Sequence, residues 1–237
     1  MPIDWSPLVE IINSHERFVL SSHVRPDADA IGSELGLACA LESLGKNVRI
    51  VNPSDGSANI AFLDPEKRAT RLGDGITADE ARDTDVHIVV DTSAWVQLQD
   101  VGAVLKTTRA KQTVVIDHHV SSDDLGAMEF KETTAAATGE LIYELAQSLG
   151  ATLDEQAANA LYCAIATDTG WFRFPSTTSR TMRIAGELID LGAKPHVLYR
   201  LLYEQHSAAR MQFFGRVLSR MTVETDGRLA YLSVTQK

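Results

Sequence analysis

Three short, β-branched apolar runs in this chain each lead straight into a side chain with metal-binding chemistry: residues 17–23 (RFVLSSH), 86–91 (VHIVVD) and 113–117 (TVVID). Runs of this length without polar alternation read as strands covered on both faces, the pattern of a parallel sheet packed between helices. Open α/β sheets bind their ligands beyond the carboxyl ends of the strands. Three separate segments therefore bring His23, Asp91 and Asp117 to one edge of one sheet, which chance placement of Asp and His would rarely do.

The same segments carry further ligand types. His23, Asp27 and Asp29 lie in SSHVRPDADAIGS, Asp91 in VHIVVDTS, Asp117, His118 and His119 in TVVIDHHV, and Asp168 in ATDTG. Carboxylate oxygens mixed with imidazole nitrogens make a set large enough for two divalent cations, and such a set points to phosphoryl hydrolysis. Pro26 forces an extended turn between the first strand and the next helix, so that three side chains share one pocket. Gly32 allows close backbone approach, and Ser33 reads either as a phosphate contact or as an ordinary early helical serine. Asp91 reads either as a carboxylate bridging two metals or as the N-cap of the helix that follows.

The 237 residues, 44% hydrophobic and 23% charged, suffice for a full core in one or two domains. No stretch approaches the roughly 18 apolar residues of a membrane span, and MPIDWSPLVEII lacks the features of a signal peptide. A cytoplasmic protein without a membrane partner is expected. Cys39 and Cys163 sit far apart in apolar helical patterns and read as buried free thiols. A net charge of −10 argues against long duplex nucleic acid, which basic stripes hold, and favours short or mononucleotide substrates whose phosphates meet metal ions.

The expected fold is α/β: a doubly wound, mostly parallel sheet flanked by helices, then a helical C-terminal part and a terminal β-hairpin. Residues 30–44 form the first crossover helix, stopped by Gly45, and 47–51 a second strand. Residues 52–85 read as a polar connection holding a short helix or two, and 94–109 as a crossover helix. Helices follow over 137–149, 154–167 (with Asp154 as N-cap), 178–191, 195–204 and 207–221. Residues 220–224 and 228–235 flank a Thr225-Asp226-Gly227 turn and read as a hairpin, which is marginal alone and is expected to open a further domain.

In this order, HVRPDADAIGS, VVDTS, IDHH and ATDTG resemble the four motifs of the DHH family of phosphoesterases. Ala28 stands where members often have glycine, and the flanking ligands are intact. The layout is most similar to the family's bacterial oligoribonucleases, which degrade nanoRNA and dephosphorylate 3'-phosphoadenosine 5'-phosphate. The resemblance implies two Mn2+ ions per site, with Mg2+ or Co2+ as substitutes. It places His23, Asp27 and Asp91 on one ion and Asp29, Asp91, His118 and Asp168 on the other, with His119 on the scissile phosphate and Asp117 orienting a neighbouring imidazole. Asp91, Asp117, His118 and His119 are then the catalytic residues, acting with a metal-activated hydroxide. Short single-stranded RNA or a nucleotide is the implied substrate, and a homodimer is compatible with it. The implied domains are a catalytic domain over 1–205, a linker helix over 206–222, and over 223–237 the start of a substrate-binding domain whose glycine-rich GGGH segment this sequence lacks.

Beside Asp168, Arg173 reads as a phosphate contact, and Trp171 and Phe172 as base-stacking or core aromatics. Arg25 reads as a phosphate contact or a surface charge. His15, His87, His196 and His206 match no motif. The same metal core would also serve a cyclic-dinucleotide phosphodiesterase or an inorganic pyrophosphatase. A non-catalytic nucleotide-binding module is the remaining alternative, and carboxylates crowded without metals argue against it.

Overall fold

Strand and helix alternate along most of the chain. The computed structural model describes residues 3–235, which run through α1 (Ser6–Ser14), β1 (Arg17–Ser21), α2 (Ala28–Ser43), β2 (Asn47–Asn52), β3 (Ala69–Arg71), α3 (Ala78–Arg82), β4 (Val86–Val90), α4 (Trp95–Lys106), β5 (Gln112–Asp117) and β6 (Met128–Lys131). Then come α5 (Thr138–Leu149), α6 (Glu155–Asp168), α7 (Ser179–Asp190), α8 (Pro195–Tyr203), α9 (Ala208–Leu218) and the hairpin of β7 (Thr222–Glu224) and β8 (Leu229–Tyr231). The first six strands form one sheet in the order β3-β2-β1-β4-β5-β6, with every pair parallel. The order reverses between β1 and β4, so the topological switch point of this doubly wound sheet lies between the strands that precede His23 and Asp91.

Both faces of the sheet are covered. Val19 and Val51 pack with Ala81 of α3 and Val104 of α4, and Val89 and Val115 pack with Leu98 and Leu105 of α4. On the other side, α2 lies on β1, β2 and β4, and α5 on β5. Helix α2 is buried nearly all round because α6 packs on it in turn. Gly32 and Gly36 permit that approach: a Cβ at 32 would meet the Ala160 carbonyl oxygen, and one at 36 would run into Leu161. The close approach expected at Gly32 is therefore made by a neighbouring helix.

Several expectations need correction. Strand β1 ends two residues before His23, and α2 begins at Ala28, because Asp27 caps it earlier than the apolar spacing indicated. The connection over 52–85 contains the edge strand β3 as well as a 3-10 turn (Ala58–Leu63) and α3. Neither α1 nor β6 was anticipated; Trp5 beside α1 stacks on Phe130 of β6 with ring centroids 5.5 Å apart. Helix α4 is kinked at Gln99, whose φ is 44°. Cys163 is buried but Cys39 only half so, and both thiols are free.

The chain divides into two compact units, Met1–Leu198 and Tyr199–Lys237, with the boundary inside α8. In the second, α9 and the hairpin bury none of their residues. Among the described residues, no helix is long and apolar enough to cross a membrane.

Candidate metal centre

The loops that leave β1, β4 and β5 meet at the C-terminal edge of the sheet. Asp27 caps α2 by accepting, at Oδ1, the N–H groups of Asp29 (3.0 Å) and Ala30 (3.1 Å). This fixes Asp29 in the first helical turn, where it is 1% exposed. Its Oδ2 accepts the Thr138 N–H at 2.8 Å, and its Oδ1 accepts the Gly139 N–H at 2.9 Å and the Ser33 hydroxyl at 3.2 Å. The free N–H groups at the start of α5 thus cage one buried carboxylate. A Cβ at 139 would lie 2.8 Å from that of Ala164 and 3.4 Å from Asp29 Oδ1, so only glycine lets α5 come this close.

Asp91 leaves β4 in the left-handed region, with φ 61°. Such backbone geometry is uncommon for a residue other than glycine and is tolerated best by Asp and Asn. Its N–H reaches the Ile116 carbonyl at 3.0 Å, and its Oδ1 accepts the Thr138 hydroxyl at 2.9 Å. The two carboxylate oxygens then face different imidazoles: Oδ2 is 3.4 Å from His23 Nε2, and Oδ1 is 3.6 Å from His118 Nε2. His23 Nε2 is also 3.9 Å from Asp27 Oδ1. His118 Nε2 lies 3.4 Å from Asp168 Oδ2 and 3.7 Å from Asp29 Oδ2.

These separations are longer than hydrogen bonds, and His118 Nε2 is buried with no hydrogen-bond partner among the described residues. A buried nitrogen ringed by three carboxylates at such spacing fits a donor set converging on a cation. Two sets of ligand atoms, His23/Asp27/Asp91 and Asp29/His118/Asp168, each lie within 4.8 Å of one another, and a third joins Asp91, His118 and His119.

Electrostatics favour the same reading. Burial, followed by repulsion from Asp29 and Asp27, pushes the Asp91 carboxyl well above its usual range and Asp168 up to about 7. Asp29 is raised by burial against the opposing pull of His118. A divalent cation would relieve this crowding. Asp117 behaves differently. Burial raises it, yet hydrogen bonds from His119 and Ser93 outweigh that and hold it at about 2. Its Oδ1 accepts His119 Nδ1–H at 2.8 Å, and its Oδ2 accepts the Ser93 hydroxyl at 2.7 Å. The bond to Asp117 raises His119 in turn. His119 is half exposed and lines, with His23, Asp27, Asp91 and Asp168, a cavity of about 220 Å³.

The sequence-selected residues therefore part company. His23, Asp27, Asp29, Asp91, His118, His119 and Asp168 come together, with Asp117 behind His119. Ser33 does not face a substrate: it is fully buried and bonds Asp29. Asp91 is not a helix cap, since Ala94 holds that position. Arg25 is exposed and lies outside the cavity lining, as does Arg173, whose Nε donates to the Gly170 carbonyl at 2.6 Å. Trp171 and Phe172 pack on Tyr162, with centroids 6.2 and 5.7 Å away, within a left-handed turn directly after Asp168. His87 is a core residue bonded to the Ser21 hydroxyl, and burial lowers it to about 4.

Sequence reasoning missed Thr138, Gly139 and Ser93. The helix start expected at 137 carried the signal for the first two, because its unpaired N–H groups need an acceptor.

Comparisons with known proteins bear on the family of the chain. Residues 17–165 match the model of the DHH family, N-terminal domain. The bifunctional oligoribonuclease and PAP phosphatase NrnA of Bacillus subtilis is 32% identical over 203 residues, covering 83% of this chain and 60% of the relative. The protein of the same name from Thermus thermophilus is 32% identical over 215 residues, covering 89% and 60%. The crystal structure of an exopolyphosphatase-related protein from Bacteroides fragilis superimposes with a TM-score of 0.90 at 27% identity, over 97% of this chain and 68% of that one. The chain thus spans about 60% of the length of these two curated relatives.

Proposed function

The chain belongs to the DHH family, and from that premise we propose that it is a metal-dependent phosphoesterase that hydrolyses short oligoribonucleotides to mononucleotides and removes phosphate from 3'-phosphoadenosine 5'-phosphate. The observation that carries the reading is the buried, unpartnered His118 Nε2 among Asp29, Asp91 and Asp168. His23, Asp27 and Asp91 would hold one cation, and Asp29, Asp91, His118 and Asp168 the other, with Asp91 shared. Mixed imidazole and carboxylate donors favour manganese over magnesium, which prefers oxygen and water. When bound, two such ions supply Lewis-acid polarisation of the phosphoryl group and lower the pKa of water.

The chain's own residues do the rest. Thr138 and the N-terminus of α5 fix Asp91 and Asp29 so that their crowded charges keep their geometry. Asp117 engages Nδ1 of His119 and leaves Nε2 for a phosphate oxygen or the departing hydroxyl. The residues with these roles all lie within 1–205, which we take as the catalytic unit. The acidic surface and the small cavity suit a short substrate.

The test is product release with Mn2+ present, comparing 3'-phosphoadenosine 5'-phosphate, a 5'-phosphorylated diribonucleotide, a cyclic dinucleotide and pyrophosphate. Turnover of the first two alone is expected. Turnover of only the cyclic dinucleotide or pyrophosphate would overturn the substrate assignment, and silence on all four would overturn the enzyme assignment for this chain.

A further inference from the structure

Lys131 belongs to none of the four motifs. It ends β6 and is the direct ladder partner of Asp117 at the end of β5. Its side chain is only 15% exposed, and its ammonium has two hydrogen-bond acceptors and one carboxylate at ion-pair distance. Nζ lies 2.7 Å from the Ser121 carbonyl, 3.0 Å from the Ser93 hydroxyl and 3.4 Å from Asp117 Oδ2. Each contact is on a different part of the site. Ser93 lies two residues past Asp91 on the β4 loop, Ser121 lies two past His119 on the β5 loop, and Asp117 is the acceptor that orients His119. Ser93 closes the circuit by donating its hydroxyl hydrogen to Asp117 at 2.7 Å, with the Ser121 carbonyl a competing acceptor at 3.1 Å.

We propose that Lys131 is a positioning residue for His119: by tying the β4 and β5 loops to Asp117, it holds the imidazole with Nδ1 on the carboxylate and Nε2 toward the substrate cavity. Asp117 is fully buried and carries a negative charge that must keep a favourable partner in the low-dielectric interior. Lys131 is the one cation with an ion-pair contact to it among the described residues, the other partner being His119 itself. Without the ammonium, the Ser121 carbonyl and the Ser93 hydroxyl lose a shared donor, and Asp117 and the loop bearing His119 are held less firmly, by the Ser93 hydroxyl and backbone bonds alone. Ground-state metal binding is untouched, because Lys131 contacts none of the residues proposed to hold the ions. The loss therefore falls on turnover rather than on affinity.

The inference rests on the phosphoesterase reading, and the experiment separates the two. The full chain is compared with Lys131→Met and Lys131→Arg in Mn2+-dependent turnover of 3'-phosphoadenosine 5'-phosphate, in Mn2+ binding by calorimetry, and, without metal, in the NMR signal of the His119 Nδ1 proton held by Asp117. For Lys131→Met, kcat is expected to fall about tenfold or more, with KM and Mn2+ affinity within about twofold and the His119 proton signal lost to exchange. Lys131→Arg restores most of kcat and the signal. A Lys131→Met chain with unchanged kcat and an undiminished signal would overturn the role. If the unsubstituted chain turns over nothing, the phosphoesterase reading fails by itself, and the proton signal alone decides: its loss in Lys131→Met and return in Lys131→Arg support the positioning role, and its persistence refutes it.

Discussion

The two halves of the candidate metal centre are built differently. In one half Asp29 sits deep, 1% exposed, locked by two backbone N–H groups of α5 and by Ser33, with His118 largely buried beside it. In the other half Asp27 sits at the rim, 60% exposed on its side chain, and among the described residues its side-chain hydrogen bonds go to the helix it begins. Asp91 joins the halves, with one oxygen toward each histidine. The difference teaches that one half is preorganised by the fold, whereas the other is free to exchange water and ligand. Ions are then expected to bind in sequence, the deep position first.

The strongest way to break this picture is Asp91→Asn, which removes the charge common to both halves. Turnover should fall by at least about 100-fold, more than for an ordinary outer contact, with the melting temperature of the metal-free chain unchanged or higher because a crowded buried carboxylate is gone. Calorimetry and turnover on 3'-phosphoadenosine 5'-phosphate check it; near-normal activity would end the bridging assignment.

A paired comparison sharpens the contrast between depth and rim. Asp29→Ala leaves the Thr138 and Gly139 N–H groups buried without an acceptor and is expected to cost about 3 kcal/mol of stability together with the tighter binding event. Asp27→Ala loses a helix cap worth about 1 kcal/mol and only the weaker event. Urea unfolding and calorimetry on the two variants would show equal losses if the halves were equivalent.

A variant away from the proposed ligands isolates burial from metal binding. Glu34, also on α2, is fully buried; its Oε2 accepts from Asn52 at 2.8 Å, while Asn52 Oδ1 holds the N–H and hydroxyl of Ser22. Burial pushes Glu34 up to about 8. A carboxyl whose folded pKa lies above its unfolded value contributes stability that is complete below about 4.5 and is lost as pH rises to about 8. Between pH 6 and 9 the metal-free chain should therefore lose stability, and Glu34→Gln should flatten that slope, melting about 5 °C higher at pH 9. Parallel melting curves for the two chains across that range would show that Glu34 is already ionised.

Part of this candidate site was legible in the sequence because Asp91, Asp117 and His118 sit at or just past strand ends, and strands rich in Val and Ile announce both themselves and their termini. The strand-end positions of Asp91 and Asp117, the cap at Asp154 and the helix over α5 follow from local chemistry. What stayed hidden depends on contacts distant in sequence. Strands β3 and β6 are short edge elements with only partial burial, so their own patterns are weak. Ser33 reads as a phosphate contact or an ordinary early helical serine because nothing local says that α6 closes over α2. The cage around Asp29 joins residues 109 and 110 positions apart, and only the ladder brings Lys131 beside Asp117.

The account turns on two cations sharing Asp91, and anomalous diffraction from crystals grown with Mn2+ tests that most directly. The expected result is two peaks roughly 3.5–4 Å apart, one among His23, Asp27 and Asp91 and the other among Asp29, Asp91, His118 and Asp168. A single peak, or two peaks of which only one touches Asp91, would contradict it.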